Sequence, residues 1–193
     1  MMAGRSGGTW LAMNKKTGKI AVLLNILQPK EEIVASKRGR GFIVNDFVSG
    51  DESCHQYLHR LAQQGTEYNG FQAIALQIQS DAVDGAFYSN STSEEEPQVI
   101  EAGIHGYGNS IDPKEPWPKV TYGQKRFQCV LDRHSSSKSR DQLIEDLFDM
   151  MMDKRSLPVD QQMKRQGHGR EPDSLRKLSA LCVEMPEAQY GSR

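Results

Sequence analysis

Residues 7–25 read Gly-Gly-Thr-Trp-Leu-Ala-Met-Asn-Lys-Lys-Thr-Gly-Lys-Ile-Ala-Val-Leu-Leu-Asn. Thr, Trp and aliphatic side chains favour an extended backbone on both sides of the polar segment 14–18. Gly18 can adopt a positive φ there, so the pattern predicts a β-hairpin. Residues 20–24 are continuously apolar, which is typical of a strand that is buried on both faces. We therefore expect this hairpin to lie at the centre of the fold, with the rest of the chain covering it.

The remaining pattern predicts strands, then helices, then a late strand. Strict alternation of apolar residues predicts a strand over 71–78, and helical spacing predicts helices over 42–50 and 52–64. Further strands are expected at 86–88, 99–104 and 181–184, with a helix at 121–131 and an extended, proline-rich loop at 113–118. Together these elements predict an α+β protein built in layers.

Another helix is predicted to begin at a capping box, because Ser139 is followed three residues later by Gln142. Its apolar residues share one face, and its acidic residues lie opposite. Residues 154–174 are polar and poorly patterned, which predicts a mobile loop. The apolar face comprises Leu143, Ile144, Leu147, Phe148 and Met151.

Composition narrows the classes of function. The 193 residues are enough for one domain with a core, and 37% hydrophobic with 25% charged residues is typical of a soluble protein. The net charge of -1 gives no basic field for nucleic acid, so no nucleic-acid partner is expected. No apolar run is long enough to span a bilayer, and no charged-then-apolar signal opens the sequence, so secretion is not expected. Three widely spaced cysteines (Cys54, Cys129 and Cys182) favour reduced thiols in the cytoplasm.

An ordered series of short motifs resembles the eukaryotic branch of the NRDE family, the transport and Golgi organization proteins. The resemblance covers nearly the whole chain and implies one domain over 1–193 that is incomplete at both ends. It implies the αββα layered sandwich of N-terminal nucleophile hydrolases. The motifs are Gly7-Gly8-Thr9-Trp10-Leu11, Leu24-Asn25 with Gln28-Pro29, Arg38-Gly39-Arg40-Gly41, Tyr68-Asn69-Gly70-Phe71 and Gly108-Asn109-Ser110.

The resemblance also implies a role in Golgi organization and protein secretion, through the trafficking of haem or lipid-related ligands. It implies a cytoplasmic location with Golgi and mitochondrial association. Haem would be a reversible cargo and not a required cofactor, since the sequence lacks a Cys-x-x-Cys-His attachment motif. A small hydrophobic or anionic ligand is therefore the expected partner. Missing edge strands would favour self-association through open sheet edges.

Catalysis is not expected of this chain. Hydrolases of this class use an N-terminal Cys, Ser or Thr whose own amino group acts as the base. Members of the family resemble that pattern by opening with Met-Cys, whereas this sequence begins Met1-Met2-Ala3 and has no cysteine before Cys54. The alternative is an N-terminal nucleophile amidohydrolase whose catalytic Cys is missing from this chain.

Five residues are candidates for ligand binding. Asn25 and Asn109 occupy positions where related hydrolases supply polar groups to a reacting carbonyl, although such amides also bond local backbone. Arg38 and Arg40 precede a helix in a glycine-containing loop and could hold a phosphate or carboxylate, although a solvated loop has the same composition. His105, near Tyr107, could ligate haem iron or simply be exposed.

Two pairs of residues, one of histidines and one of tryptophans, are interpreted without a metal or cofactor. His55 and His59 share a helix face at metal-ligand spacing, but no further ligand accompanies them, so exposed histidines and no metal site are expected. Trp10 and Trp117 are interpreted as core anchors in preference to walls of a cofactor site.

Overall fold

The protein is described by a computed structural model that covers residues 7–136, 139–185 and 190–191. It divides into two compact units. The first comprises the chain up to Leu27 with Glu31–Ala102, and the second comprises Gln28–Lys30 and the chain from Gly103 onward. The strands of the first unit are β1 (Leu11–Asn14), β2 (Lys19–Asn25), β3 (Phe71–Ile78), β4 (Val83–Ser89) and β5 (Gln98–Val99), and its helices are α1 (Phe42–Ser49) and α2 (Cys54–Ala62).

The five strands form one antiparallel sheet in the order β1-β2-β3-β4-β5. The predicted hairpin is confirmed, since Leu11 pairs with Val22 and Gly18 has φ 70° in the turn. Its predicted position at the centre of the fold is wrong, because β1 is an edge strand on which Leu11 and Met13 are exposed. A Cβ on Gly18 would lie 2.1 Å from the carbonyl oxygen of Ile78, so the turn requires glycine for its space as well as for its φ. The strand predicted over 71–78 and its hairpin partner are also confirmed, as β3 and β4.

Helices α1 and α2 pack against the sheet and close the core of the first unit. Their apolar residues recur at helical spacing, and the predicted helices at 42–50 and 52–64 are confirmed with shorter bounds. The core side chains include Leu23 from β2, Phe47 and Leu58 from the helices and Phe71 from β3. Tyr57 also lies in this core, where its hydroxyl donates to the carbonyl oxygen of Ile43 at 2.6 Å.

One face of β2 is less covered than predicted. Ala21 and Leu23 are buried beneath the helices, whereas Ile20, Val22 and Leu24 on the opposite face are half-buried. The apolar run thus follows the period of a strand that is deeply buried on one side only. The α+β class is confirmed. A second large sheet, as an αββα sandwich requires, is not among the described elements, and the likeness to N-terminal nucleophile hydrolases stays a prediction.

The second unit contains four helices and a two-stranded ribbon among its described residues. Pro118 begins the long helix and does not extend the preceding loop, because a proline at the first helical position loses no hydrogen bond. The predicted strand over 99–104 is wrong beyond Val99, and the predicted strand at 181–184 begins only at its last residue. The elements are α3 (Pro118–His134), α4 (Arg140–Met151), α5 (Gln161–Gln166), α6 (Pro172–Leu178), β6 (Glu184–Met185) and β7 (Tyr190–Gly191).

The segment predicted to be a mobile loop, 154–174, contains α5 and the start of α6. Asp160 caps α5 by accepting a hydrogen bond from the backbone N–H of Met163 at 2.7 Å, and Met163 is fully buried. The mobility of this segment and the single domain over 1–193 stay predictions. Within the part of the chain that the structure describes, no helix has the length and hydropathy to cross a membrane.

Candidate functional site

An open cleft of about 410 Å³ lies in the first unit, between residues 8–10 and the loop that precedes α1. The loop contains Arg38 and Arg40, the two cations that the sequence analysis singled out as an anion site. Arg38 and Arg40 therefore line the same cleft. Its lining consists of Gly8, Thr9, Trp10, Val34, Ala35, Lys37, Arg38, Gly39, Arg40, Gly41 and Asn69.

Two glycines bring the walls of the cleft together. The backbone N–H of Thr9 donates to the carbonyl oxygen of Gly41 at 2.9 Å. A Cβ on Gly8 would lie 2.9 Å from Cα of Gly41, and a Cβ on Gly41 would lie 3.0 Å from Cα of Gly8. Neither position accommodates a Cβ without a shift of the facing backbone, because backbone atoms occupy the space. The close approach of the two segments therefore depends on glycine at both positions.

Asn69 fixes the outer part of the loop. Its Oδ1 accepts from the backbone N–H of Val34 at 3.0 Å, and its Nδ2 donates to the carbonyl oxygen of Val34 at 2.9 Å. One side chain thus satisfies both backbone groups of a loop residue, much as a neighbouring strand would. This pair of bonds holds Val34 at the rim, where its side chain is 45% exposed.

The three cations of the loop differ in their partners. Arg38 donates to Glu67 at 2.8 Å, and this bond raises the pKa of its guanidinium, which also lies 5.1 Å above the ring of Tyr68. Arg40 donates to the carbonyl oxygen of Gly70 at 2.6 Å, and Lys37 to that of Tyr68 at 3.1 Å. These two bonds orient the side chains of Arg40 and Lys37 along the cleft wall.

Two further features shape the chemistry of the cleft. Trp10 is 51% exposed, and its carbonyl oxygen accepts a hydrogen bond from the backbone N–H of Leu23 at 2.8 Å. This bond holds in place the backbone that carries the exposed indole. Helix α1 begins just past Gly41, without a side-chain cap, and adds the partial positive charge of a helix N-terminus. The cleft thus combines exposed apolar surface with cationic charge, which suits a ligand that has an apolar body and an anionic group.

The chain is similar to known proteins over its full length. The family model described as Transport and Golgi organisation 2 matches residues 1–193. The chain belongs to this family. It is 33% identical over 193 residues to the Transport and Golgi organization 2 homolog of Mus musculus, covering all of this chain and 67% of that protein. It is 33% identical to the Homo sapiens protein with the same coverage, and 31% identical to that of Drosophila melanogaster over 98% of this chain and 66% of that protein.

The structure does not bring the five predicted ligand-binding residues of this family member together in one unit. Arg38 and Arg40 share the cleft. Asn25 is half-buried at the end of β2, opposite Phe71, and does not line the cleft. Asn109 belongs to the second unit, where its backbone carbonyl accepts from Gln166 at 2.9 Å. The proposed contribution of the two asparagines to a carbonyl-binding site stays a prediction.

His105 also belongs to the second unit. Its side chain is exposed, and its ring lies 6.3 Å from that of Tyr107 with an angle of 18° between the planes. Burial raises the pKa of the Tyr107 hydroxyl, which therefore remains protonated at neutral pH. Haem ligation by His105 stays a prediction.

The histidine pair on α2 has separate surroundings. His55 is exposed, and His59 Nδ1 lies 2.7 Å from Glu96. No three His, Cys, Asp or Glu side chains within the described ranges are grouped so that they could hold a metal ion. The neighbouring Cys54 is buried, and desolvation raises the pKa of its thiol to about 12, so it is not a ready nucleophile.

The two tryptophans have different environments. Trp117 is fully buried, and its Nε1 donates to Gln166 at 2.9 Å, which confirms the prediction of a core anchor. The same prediction is wrong for Trp10, which is exposed at the cleft. A Trp at the start of an apolar strand gives no sequence signal of which side it faces.

Sequence reasoning also missed two polar residues. Asn69 appears in the sequence only as part of the motif Tyr68-Asn69-Gly70-Phe71, and its two hydrogen bonds to the backbone of Val34 are visible only in the fold. Lys119 is half-buried near the start of α3, with its Nζ 5.6 Å above the ring of Trp117. Desolvation lowers the pKa of its amine to about 8. In the sequence, only its position two residues after Trp117 could have indicated that Lys119 is partly buried.

Proposed function

We propose that this protein supports Golgi organization and protein secretion by carrying an anionic amphiphile in the cleft beside Trp10. The names of its relatives support the Golgi-related role. The observation that carries the ligand class is the pairing of exposed apolar side chains, Trp10 and Val34, with Lys37 and Arg40 in one cleft. Apolar surface would cover the body of the ligand, and the cations would bind its carboxylate or phosphate.

Haem and lipid-related molecules both have this chemistry, and the lining favours the lipid-related class. Haem iron is normally held by His, Cys, Met or Tyr. Among the described residues of the lining, none is of these types. An acyl chain with a phosphate or carboxylate head needs no such ligand. Haem would have to rely on its propionates in this cleft, and ligation by His105 would be a separate site in the second unit. We place the protein in the cytoplasm, where it would exchange its ligand with Golgi and mitochondrial membranes.

The cleft is tested with defined ligands and charge-matched variants. Oleoyl lysophosphatidate and haemin are titrated separately into the full chain, and binding is followed by tryptophan fluorescence and by the Soret band. Lys37→Gln/Arg40→Gln removes two cations from the cleft, whereas Lys125→Gln/Arg126→Gln removes two exposed cations from α3. We expect the cleft variant to bind lysophosphatidate at least tenfold more weakly, and the α3 variant to bind like the wild type.

Other outcomes separate the ligand classes. Trp10→Ala should weaken both ligands if both use the cleft. Weaker haemin binding by His105→Ala, with unchanged haemin binding by the cleft variant, would show that haem binds outside the cleft. Equal lysophosphatidate binding by the wild type and by Lys37→Gln/Arg40→Gln would contradict the proposal.

A further inference from the structure

Helix α4 in the second unit carries apolar residues on its exposed side. Phe148 is 62% exposed and Met151 is 58% exposed, and Met152, which follows the helix, is 59% exposed. None of the residues of α4 is fully buried, although its apolar pattern predicted a single continuous face. Leu143 and Leu147 lie on the half-buried side, and Ile144, Phe148 and Met151 form a separate row. Their spacing of four and three residues keeps that row on one line along the helix.

An acidic row runs beside the exposed apolar row. Asp141, Glu145 and Asp149 recur every four residues and are all exposed. Glu145 and Asp149 each follow a member of the apolar row, and one residue corresponds to a rotation of about 100° around the helix. The two rows are therefore neighbours along the whole of α4.

Within the part of the chain that the structure describes, the carboxylates of the acidic row form no ion pairs. Asp146, on the half-buried side, accepts from Arg133 at 2.6 Å and lies 3.0 Å from Nε2 of His134. In contrast, Asp141, Glu145 and Asp149 make no ion pair there. The inner carboxylate thus serves the contact between α3 and α4, whereas the outer three face solvent.

We propose that the exposed side of α4 binds a basic amphipathic helix of a protein partner. Such a helix would cover the apolar row with its own apolar face and place Lys or Arg beside the three carboxylates. The consecutive methionines at 150–152 suit this role, since their flexible side chains adapt to different apolar surfaces.

Charge distinguishes this partner from two other occupants. A second copy of the chain whose α4 packed antiparallel on this one would bring one acidic row beside the other, which like-charge repulsion opposes. A cytoplasmic membrane surface is itself anionic and would repel three carboxylates on the docking side. The same three carboxylates would attract the Lys or Arg side chains of a basic helix.

The test uses the full chain and a synthetic 18-residue amphipathic helix of Leu and Lys, labelled for fluorescence anisotropy. A second peptide carries Glu in place of every Lys. Asp141→Asn/Glu145→Gln/Asp149→Asn removes the acidic row, and Asp81→Asn/Asp84→Asn/Glu95→Gln removes three exposed carboxylates of the first unit as a charge-matched control. Phe148→Ser removes the centre of the apolar row.

We expect the Leu/Lys peptide to bind the wild type and the control triple variant equally, and both α4 variants at least tenfold more weakly. The Glu peptide should not bind. Retained affinity in either α4 variant, or an equal loss in the control, would overturn the proposal. A dimer in light scattering that Phe148→Ser dissociates would overturn it in favour of self-association. Co-sedimentation with phosphatidylserine-containing vesicles that Phe148→Ser abolishes would overturn it in favour of a membrane surface. Far-UV circular dichroism checks that each variant remains helical.

Discussion

Gly41 and Gly8 set the separation between the two walls of the cleft. Gly41→Ala would place a Cβ 3.0 Å from Cα of Gly8, so the strand leading to Trp10 must move outward. We expect a loss of stability of about 1–2 kcal/mol and at least tenfold weaker binding of lysophosphatidate. Urea unfolding and the fluorescence titration measure the two effects.

Gly39→Ala is the matched control, because a Cβ at Gly39 would meet no atom within 4 Å in the same loop. It should leave stability within about 0.5 kcal/mol of the wild type. If both alanine variants bind equally well, the close approach of Gly8 and Gly41 does not shape the cleft.

Lys119 makes stability depend on pH at alkaline values. Its pKa is about 8 in the folded state and 10.5 as the ordinary value, because desolvation prevails over the attraction of the Trp117 ring. Between these values the unfolded chain binds more protons, so stability should rise with pH from about 8 to about 10.5. Below pH 8 the folded state bears the full cost of the buried charge.

Replacement of Lys119 should therefore stabilise the protein at pH 7. We expect Lys119→Met to increase the free energy of unfolding by about 1–2 kcal/mol and to flatten its rise over pH 8–10. Lys125→Met, at an exposed position on the same helix, should change neither quantity. Urea unfolding at pH 7, 8, 9 and 10 measures both. A wild type and a Lys119→Met variant with parallel pH profiles would show that this amine titrates normally.

Among single residues, Arg38 and Arg40 were noticed from the sequence because they lie in a basic, glycine-containing loop before a helix. Both line the cleft, and anion binding by them stays a prediction. The exposure of Trp10 and the partial burial of Lys119 were not predictable, because each depends on which distant residues the fold brings near.

At the scale of elements, Lys19 connects β2 to the end of α1. It is 2% exposed, and its Nζ donates to the carbonyl oxygens of Gly50 at 2.6 Å and Glu52 at 2.7 Å. The same ammonium lies 4.9 Å from the centre of the Phe47 ring. A cation at this place complements the partial negative charge of the helix C-terminus.

Loss of this ammonium should loosen α1 from the sheet. We expect Lys19→Met to cost about 2–3 kcal/mol, because two carbonyl groups lose a charged donor in a buried place. Lys16→Met, at an exposed turn position, should change stability by less than about 0.5 kcal/mol. Urea unfolding compares the three proteins. Equal midpoints for Lys19→Met and Lys16→Met would exclude a structural role for the buried ammonium.

The elements predicted best are those with strong local patterns. The first hairpin, α1, α2, β3 and β4 follow from apolar periodicity and turn residues. Pro118 was misplaced because proline suits both an extended loop and the first turn of a helix. Helix α5 lacks a clear apolar stripe, and its stability depends on the burial of Met163, which is a tertiary contact.

At the scale of the molecule, the open edge of the sheet of the first unit bears on self-association, which stays a prediction. β1 is an edge strand, and Leu11 and Met13 on it are 61% and 55% exposed. Exposed apolar edge strands favour pairing between chains, and charges on them oppose it. We expect the wild type to associate as its concentration rises, and Leu11→Lys/Met13→Lys to shift the chain toward monomer.

Light scattering after size exclusion, over a hundredfold range of concentration, measures this association. Ile33→Lys introduces a charge at an exposed apolar residue outside the sheet and should leave it unchanged. A wild type that remains monomeric over the whole range would contradict self-association through this edge.

The sequence by itself determined the α+β class, the first hairpin and the cationic loop, because periodicity, turn propensity and charge are properties of neighbouring residues. Only the tertiary structure decided that β2 is deeply buried on one face, that Trp10 stands exposed beside Lys37 and Arg40, and that the apolar row of α4 faces outward. An apolar pattern shows which residues favour burial. Whether they are buried depends on contacts between segments that are far apart in the chain.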